Sequence, residues 1–201
     1  TFNTFKITVI TTVIQVFTCS FAAYGFAKCQ FKGRNLLFLI YVATIAVPWQ
    51  VYMLPQYSMM NKFGLVDTHA SFILLHAFDA FGVFLLRQFC MGIPNELLEA
   101  ARIDGLSEYG IYRRIVLSQM WPSIATLVIF TFVTNWNDFM GPMIYLNSTE
   151  LKTVQLGIRM FMGQYSSEYG LIMAASVVSL IPVIVVFLIF QKKFVQGIAT
   201  S

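Results

Sequence analysis

The sequence predicts an all-α fold, a polytopic bundle of transmembrane helices, from its composition and from the length of its apolar blocks. Of the 201 residues, 58% are hydrophobic and only 11% are charged, whereas a soluble domain has roughly a quarter charged residues. Apolar blocks recur along the chain, and about 20 helical residues cross a hydrocarbon core roughly 30 Å thick. A bilayer is therefore the expected solvent of this protein.

Five blocks reach that length, and charged or turn-forming stretches separate them. They cover residues 5–27, 36–55, 71–89, 123–146 and 170–190. The strands of a membrane barrel would alternate apolar and polar residues over about ten positions, and these blocks do not alternate. We therefore expect about five spanning helices, which form a single transmembrane domain over residues 1–201.

Polar residues distinguish the first block, and a proline lies inside the second block and inside the fifth. No charge interrupts the first block between Lys6 and Lys28, but polar side chains dilute it, so this helix is expected to face protein. The diluting residues are Thr8, Thr11, Thr12, Gln15, Thr18 and Ser20. The second block contains Pro48 and the fifth contains Pro182, and a proline inside a span is expected to kink the helix.

The third and fourth blocks each carry an aspartate, Asp79 and Asp138. A charge inside a span is costly, so such a residue is by default functional or paired. Helical spacing makes His76 a neighbour of Asp79, with Gly82 on the same face, and it predicts a second polar stripe on the fourth block. The members of that stripe are Thr131, Thr134, Asn135 and Asp138. An intramembrane protease also needs two carboxylates, but neither aspartate stands in the G-x-G-D context of those enzymes.

Residues 94–122 form the longest loop between two blocks, and its signals predict a helix, a turn and a second helix. Pro94 suits a first helical turn, and Gly105 suits the end of that helix. Ser107 is able to cap a second helix that runs to Pro122. Helices this short are unstable alone, below about 12 to 15 residues. Either a partner protein supports them, or they form an amphipathic hairpin on lipid headgroups.

Residues 147–170, between the fourth and fifth blocks, mix polar and apolar side chains. Val154, Leu156, Ile158 and Met162 supply the apolar positions. This pattern predicts a short helix packed on the membrane face.

The basic residues predict the orientation of the chain, because cytoplasmic connections are enriched in lysine and arginine. Nine lie in one set of alternate connections: Lys28, Lys32, Arg34, Arg87, Arg102, Arg113, Arg114, Lys192 and Lys193. Four lie in the other set: Lys6, Lys62, Lys152 and Arg159. The N-terminal end is therefore expected outside and the C-terminal end in the cytoplasm. This sidedness accounts for the net charge of +4, so no nucleic-acid partner is implied.

The cysteines indicate neither a disulfide framework nor a metal site. Cys19, Cys29 and Cys90 are odd in number and lack a paired metal-ligand spacing. We expect them to be reduced structural thiols, and we expect no bound metal.

One run in the long loop carries a specific resemblance. EAARIDG at residues 99–105, followed by IVL at 115–117 and by Pro122, resembles the EAA loop of membrane subunits in bacterial binding-protein-dependent ABC importers. Further segments are similar to the carbohydrate-uptake branch, the maltose-type permeases. They are AAYGFA at 22–27, FGVFLLRQF at 81–89, IPNELLEAARIDG at 93–105, WND at 136–138 and QKKFVQGI at 191–198. Ser118 departs from the family pattern, which commonly has proline there.

The resemblance implies a bacterial inner-membrane permease that couples to a separate ATPase. In this family the first helix of the loop sits in a cleft of the ATP-hydrolysing subunit, a helix-in-groove contact. Carried onto this sequence, the coupling residues are Glu99, Ala100, Ala101, Asp104 and Gly105. The alanines would allow close approach, and the two carboxylates would accept charge-assisted hydrogen bonds from the partner.

The implied machine has two ATP-binding subunits, a second permease, an extracytoplasmic solute-binding protein and a carbohydrate cargo. The sequence lacks the phosphate-binding loop G-x-x-x-x-G-K-[ST], so we expect no cofactor on this chain and ATP on the partner. Family members usually have six spans and a short cytoplasmic extension, and this chain is therefore expected to be truncated at both ends.

The resemblance also makes the membrane polar residues candidates for a translocation pathway. The candidates are Asp79, Thr134, Asn135 and Asp138. Hydrogen bonding between helices needs the same residue types, so both interpretations stay open. For the whole protein, an importer of another branch, for peptides or phosphate, or a secondary transporter is the alternative.

Overall fold

The computed structural model describes residues 1–162 and 169–199, with side chains as far as residue 192, and it confirms the helical fold class. In these ranges the α-helices are α1 (Phe2–Lys28), α2 (Arg34–Ala43), α3 (Trp49–Lys62), α4 (His69–Leu75), α5 (Ala80–Met91), α6 (Asn95–Ile103), α7 (Glu108–Ile111), α8 (Leu117–Gln119), α9 (Trp121–Asn137), α10 (Met140–Tyr145), α11 (Val154–Met160) and α12 (Tyr169–Ala199). Two 3₁₀ turns lie at Thr44–Ala46 and Thr149–Leu151, and a π-helical segment at Tyr112–Val116.

Two of the five predicted blocks are single long helices in the structure. α1 contains the first block, and α12 provides the fifth over Tyr169–Lys192. The second, third and fourth blocks are each divided between two α-helices, and the break in the second block falls at Pro48, where a kink was expected. The described chain offers two helices able to span a bilayer, or up to five when each bent helix pair is one span. The count of five spans therefore stays a prediction.

Each break in a predicted span has a local cause in the backbone. Val47 and Pro48 are extended between α2 and α3, because the residue before a proline avoids the helical region. Asp79 is extended at the start of α5, so His76 and Asp79 do not share a helix face as predicted. α9 ends at Asn137, so Asp138 lies outside the helix that carries the other residues of the predicted stripe.

The chain folds into two compact units. The first unit contains Thr1–Val13, Pro48–Ala77 and Ile129–Ile189, and the second contains Ile14–Val47, Phe78–Val128 and Phe190–Ser201. In the first unit Trp136 is fully buried, and its indole Nε1 donates to the carbonyl (3.0 Å) and to the hydroxyl (3.2 Å) of Ser179. This contact fixes α9 against α12.

The first unit also contains the short helix predicted between the fourth and fifth blocks, which the structure confirms as α11. The backbone N–H of Val154 donates to the Thr4 hydroxyl at 2.7 Å. The Asp67 carboxylate accepts from the backbone N–H groups of Asn147 and Ser148, both at 2.8 Å, and from the Ser148 hydroxyl. The segment that leads into α11 is therefore held by side chains of two other elements.

The second unit is built around one apolar cluster that includes the long loop. Its buried members are Cys19, Ala23, Tyr24, Val83, Leu86, Cys90, Ile93, Leu98, Ala101, Ile111, Tyr112, Val116, Met120, Ile124 and Leu127. They come from α1, α5, α6, α7, the π-helical segment and α9, and from the connections that contain Ile93 and Met120. Polar side chains of α1 are buried as predicted, and the short loop helices pack on the chain's own core.

Candidate coupling surface and pathway residues

α6 carries the EAARIDG run, and its sequence determines where it begins and ends. Pro94 is extended, with ψ 134°, directly before the helix. At the other end the N–H of Gly105 donates to the carbonyl of Arg102, and the N–H of Leu106 donates to the carbonyl of Ala101, each at 3.0 Å. These two bonds form a Schellman motif. Gly105 has φ +81°, which glycine adopts without steric cost, and the predicted helix end is confirmed.

One face of α6 is buried in the core of the second unit. The side chains of Leu98 and Ala101 are only 2% and 4% exposed. Ala101 was expected to allow close approach of a partner, but its small side chain is buried in the core of the second unit. It therefore allows α6 to lie close to the chain's own transmembrane helices.

The opposite face of α6 is accessible from outside the chain. The other four residues implied by the resemblance are exposed: Glu99, Ala100, Asp104 and Gly105. Ile103 belongs to the same surface and is 86% exposed, although it is aliphatic. We call Glu99, Ala100, Ile103, Asp104 and Gly105 the coupling surface. It presents an apolar anchor beside two carboxylates, which suits a cleft with an apolar floor and basic walls.

The second half of the loop is helical from Glu108 to Gln119, and the chain then bends by 78° before α9. The Ser107 hydroxyl accepts from the N–H of Gly110 at 3.2 Å, so the predicted cap is confirmed. A π-helical segment follows, which the sequence did not predict. Ser118, in place of the family's proline, donates from its hydroxyl to the carbonyls of Arg114 (3.1 Å) and Ile115 (2.7 Å). The chain therefore stays helical through this position.

An ion pair closes the turn between α6 and α7. Arg102 Nε lies 2.8 Å from Glu108 Oε1, and the Tyr24 hydroxyl donates to the other carboxylate oxygen of Glu108. The hydrogen bond from Arg102, and after it the one from Tyr24, lowers the pKa of Glu108. Glu108 is thus held ionised between α6 and α1.

Asp79 caps a helix within the second unit. Its Oδ2 accepts from the backbone N–H of Gly82 at 2.6 Å, in the first turn of α5. Its backbone carbonyl accepts from the Cys19 thiol at 3.4 Å. Asp79 also lines a cavity of about 220 Å³, together with aromatic residues that include Tyr41 and Phe78. Capping by Asp79 explains how this charge is accommodated within a predicted span.

The other three pathway candidates lie in the first unit, in different surroundings. Thr134 is exposed, whereas Asn135 is buried and has a partner. Asp138 follows α9, is partly exposed, and accepts from the N–H of Gly141 at 3.2 Å. Its Oδ2 lies 3.6 Å from His76 Nε2, a contact that the sequence did not predict. Thr134, Asn135 and Asp138 therefore do not form the single polar stripe that was expected on the fourth block.

Comparison with known proteins decides the family. A family model described as "Binding-protein-dependent transport system inner membrane component" matches residues 15–200. The chain belongs to this family. As a permease of such a system it is a membrane component, and ATP hydrolysis takes place on a separate subunit.

The relatives of this permease are transport proteins that match it over nearly its whole length. The arabinooligosaccharides transport system permease protein AraQ of Bacillus subtilis (strain 168) is 36% identical over 200 residues, which is 100% of this chain and 71% of AraQ. The lactose transport system permease protein LacG of Rhizobium radiobacter is 33% identical over 199 residues, 99% of this chain and 73% of LacG. A crystal structure of a bacterial ABC transporter that imports the acidic polysaccharide alginate matches with a TM-score of 0.84 and 26% identity, over 96% of this chain and 73% of that chain.

The sequence did not predict the contacts or the exposure of three residues at or near α6. Lys28 was used only to predict orientation, Glu108 was not singled out, and Ile103 was read as part of the EAARIDG motif. The exposed Ile103 has a signal in the sequence, because it lies two residues from Ala101 and so on the opposite side of the helix. The contacts of Lys28 and Glu108 join elements far apart in the chain, and local patterns do not report them.

Proposed function

We propose that this chain is the permease subunit of an ATP-driven carbohydrate importer and that it couples to the ATPase through the coupling surface. The observation that carries the proposal is the placement of α6. Its buried face packs on the core of the permease, while its exposed face offers Ile103 between acidic residues. A helix of this kind is able to seat in a groove of another protein, and the motif on it matches the family's coupling loop.

The proposed assembly contains two ATP-binding subunits, a second permease and an extracytoplasmic solute-binding protein. The permease lies in the bacterial inner membrane, with the coupling surface on the cytoplasmic side and residues 147–162 on the outer side. Closure of the ATPase dimer moves α6, and the attached helices switch between inward-open and outward-open states. Thr134 and Asp138 line the pathway, whereas Asp79 and Asn135 hold helices together.

The carbohydrate cargo is supported by the relatives, whose names give arabinooligosaccharides and lactose, and by the alginate importer. We expect cells that carry the full-length permease and its partner subunits to take up labelled arabino-oligosaccharide or lactose. Uptake of labelled phosphate or peptide, with neither sugar transported, would contradict the carbohydrate assignment.

Substitution of Gly105 tests the coupling surface. No heavy atom lies within 4 Å of a Cβ at this position, but φ is +81°. Asparagine tolerates this backbone conformation, so Gly105→Asn is expected to retain most of the uptake. Gly105→Arg places a long cation between α6 and the partner, and we expect it to abolish uptake and to prevent co-purification of the ATP-binding subunit.

The measurement is mass spectrometry of proteins that stay bound in mild detergent, together with uptake and the amount of inserted permease. Equal insertion of wild type, Gly105→Asn and Gly105→Arg is the control for folding. Unimpaired uptake by Gly105→Arg would contradict the coupling role.

A further inference from the structure

The C-terminal end of α1 contacts the polypeptide on both sides of α6. Lys28, the last residue of α1, directs its Nζ to the carbonyl of Ile93 at 2.6 Å, to Asn95 Oδ1 at 2.9 Å and to the carbonyl of Met91 at 3.4 Å. An ammonium group has three donors, and these three acceptors surround the point where α6 begins. Lys28 therefore fixes the N-terminal end of α6 to α1.

A second contact reaches the other end of α6. Tyr24 donates to Glu108, and Glu108 in turn binds Arg102 in the last turn of α6. Tyr24 and Lys28 are four residues apart, so they lie on one face of α1 within a single turn. A single turn of α1 thus contacts α6 directly at its start and through Glu108 at its end.

The end of α1 is itself held by cations from two other helices. Arg34, the first residue of α2, donates from Nη1 to the carbonyls of Ala27 (3.4 Å) and Cys29 (3.1 Å). Arg87 of α5 donates from Nε to the carbonyl of Phe26 at 3.2 Å. Cations are stabilising at a helix C-terminus, where carbonyls lack helical partners. The end of α1 is therefore a junction whose backbone carbonyls are bound by side chains of α2 and α5.

We infer that this junction, through Lys28 and the Tyr24–Glu108 contact, makes α1 the helix that moves with the coupling surface. The inference rests on the proposed coupling role of α6. Leu98 and Ala101 hold the middle of α6 by packing alone, and the polar contacts at its two ends restrain rotation about that point. α1 is unbroken from Phe2 to Lys28, so a displacement at its Lys28 end is carried along its length. Lys28, Tyr24 and Glu108 are positioning residues for coupling.

The test compares hydrogen exchange of the assembled transporter with and without ATP and vanadate. In wild type, we expect the nucleotide state to change exchange in peptides of α6 and of the last turns of α1. Lys28→Met removes three donors at nearly constant length, and Tyr24→Phe removes only the hydroxyl while its ring stays buried. In both variants α6 is expected to respond as in wild type, while the response of α1 falls by about two- to thirtyfold, the range of such couplings.

Matched controls make the same chemical changes elsewhere in the second unit. Lys32→Met alters an exposed lysine four residues beyond Lys28, and Tyr109→Phe alters an exposed tyrosine beside Glu108. Both controls are expected to behave as wild type. A full response of α1 in Lys28→Met and in Tyr24→Phe would overturn this inference and leave the coupling surface intact. An α6 that does not respond in wild type would overturn both. Tyr24→Phe keeps the test valid if Lys28→Met fails to assemble.

Discussion

Asp79 and Asp138 each accept a hydrogen bond from the backbone N–H of the glycine three residues later. Asp79 accepts from the N–H of Gly82, and Asp138 accepts from the N–H of Gly141. A Cβ on Gly141 would lie 2.6 Å from Asp138 Oδ2, and one on Gly82 would lie 3.0 Å from Asp79 Oδ2. The D-x-x-G pairs DAFG and DFMG therefore mark helix starts within two of the predicted spans.

The two aspartates differ in what else they contact, and this difference predicts different effects of the same substitution. Asparagine caps helices about as well as aspartate, so Asp79→Asn is expected to keep folding and most of the uptake. Asp138→Asn also keeps a side-chain oxygen that accepts from the N–H of Gly141, but it removes the carboxylate that faces His76. We expect it to lower uptake severalfold, because side chains in direct contact are coupled by about 0.5 to 3 kcal/mol.

Uptake kinetics and the amount of folded permease check this prediction, with His76→Gln and the double variant as partners in a thermodynamic cycle. Non-additive losses in the cycle would support a joint role of His76 and Asp138. A greater loss of uptake in Asp79→Asn than in Asp138→Asn would contradict the assignment of Asp79 to capping.

At the scale of elements, the sequence predicted the features that depend on residues close together in the chain. The turn at Gly105, the cap at Ser107 and the short helix α11 follow from residues within a few positions of one another, and all three were predicted. Proline indicated the break at Pro48, but the breaks at Asp79 and after Asn137 were not predicted, because hydropathy is averaged over a window. Such an average does not detect an aspartate at which one helix stops and another begins. The burial of Ala101 depends on which face of α6 meets the core, and the family motif alone does not specify that face.

The two faces of α6 predict opposite consequences for neighbouring alanines. Ala101→Leu adds volume to a packed core, so we expect a loss of about 1 to 3 kcal/mol of stability. Ala100→Leu adds the same volume to the exposed surface, so stability is expected to change by less than about 0.5 kcal/mol. Thermal unfolding in detergent measures the stability of both variants, and co-purification of the ATP-binding subunit measures binding through the exposed face.

In this comparison Ala100→Leu is the matched control for Ala101→Leu. We expect normal stability with weakened binding for Ala100→Leu, and reduced stability for Ala101→Leu. Equal losses of stability in both variants would show that the two faces are not distinct.

At the scale of the whole molecule, the proposed function requires the coupling surface and residues 147–162 to lie on opposite sides of the membrane. The orientation prediction rests on nine basic residues against four. Both α1 and α12 are long enough to span the bilayer. With an odd number of spans, the two ends of the chain lie on opposite sides, which is the arrangement that the basic residues favour.

Thiol labelling of intact cells tests this sidedness. Cys19 and Cys90 are buried and Cys29 is partly buried, so a Cys29→Ser background leaves few reactive native thiols. On that background, Lys62→Cys is expected to react with a membrane-impermeant maleimide in intact cells, because Lys62 is exposed and predicted outside. Arg113→Cys, exposed on the coupling loop, is expected to react only after permeabilisation. The reverse pattern would put the coupling surface outside, where no ATP-hydrolysing subunit reaches it, and would contradict the proposed function as a whole.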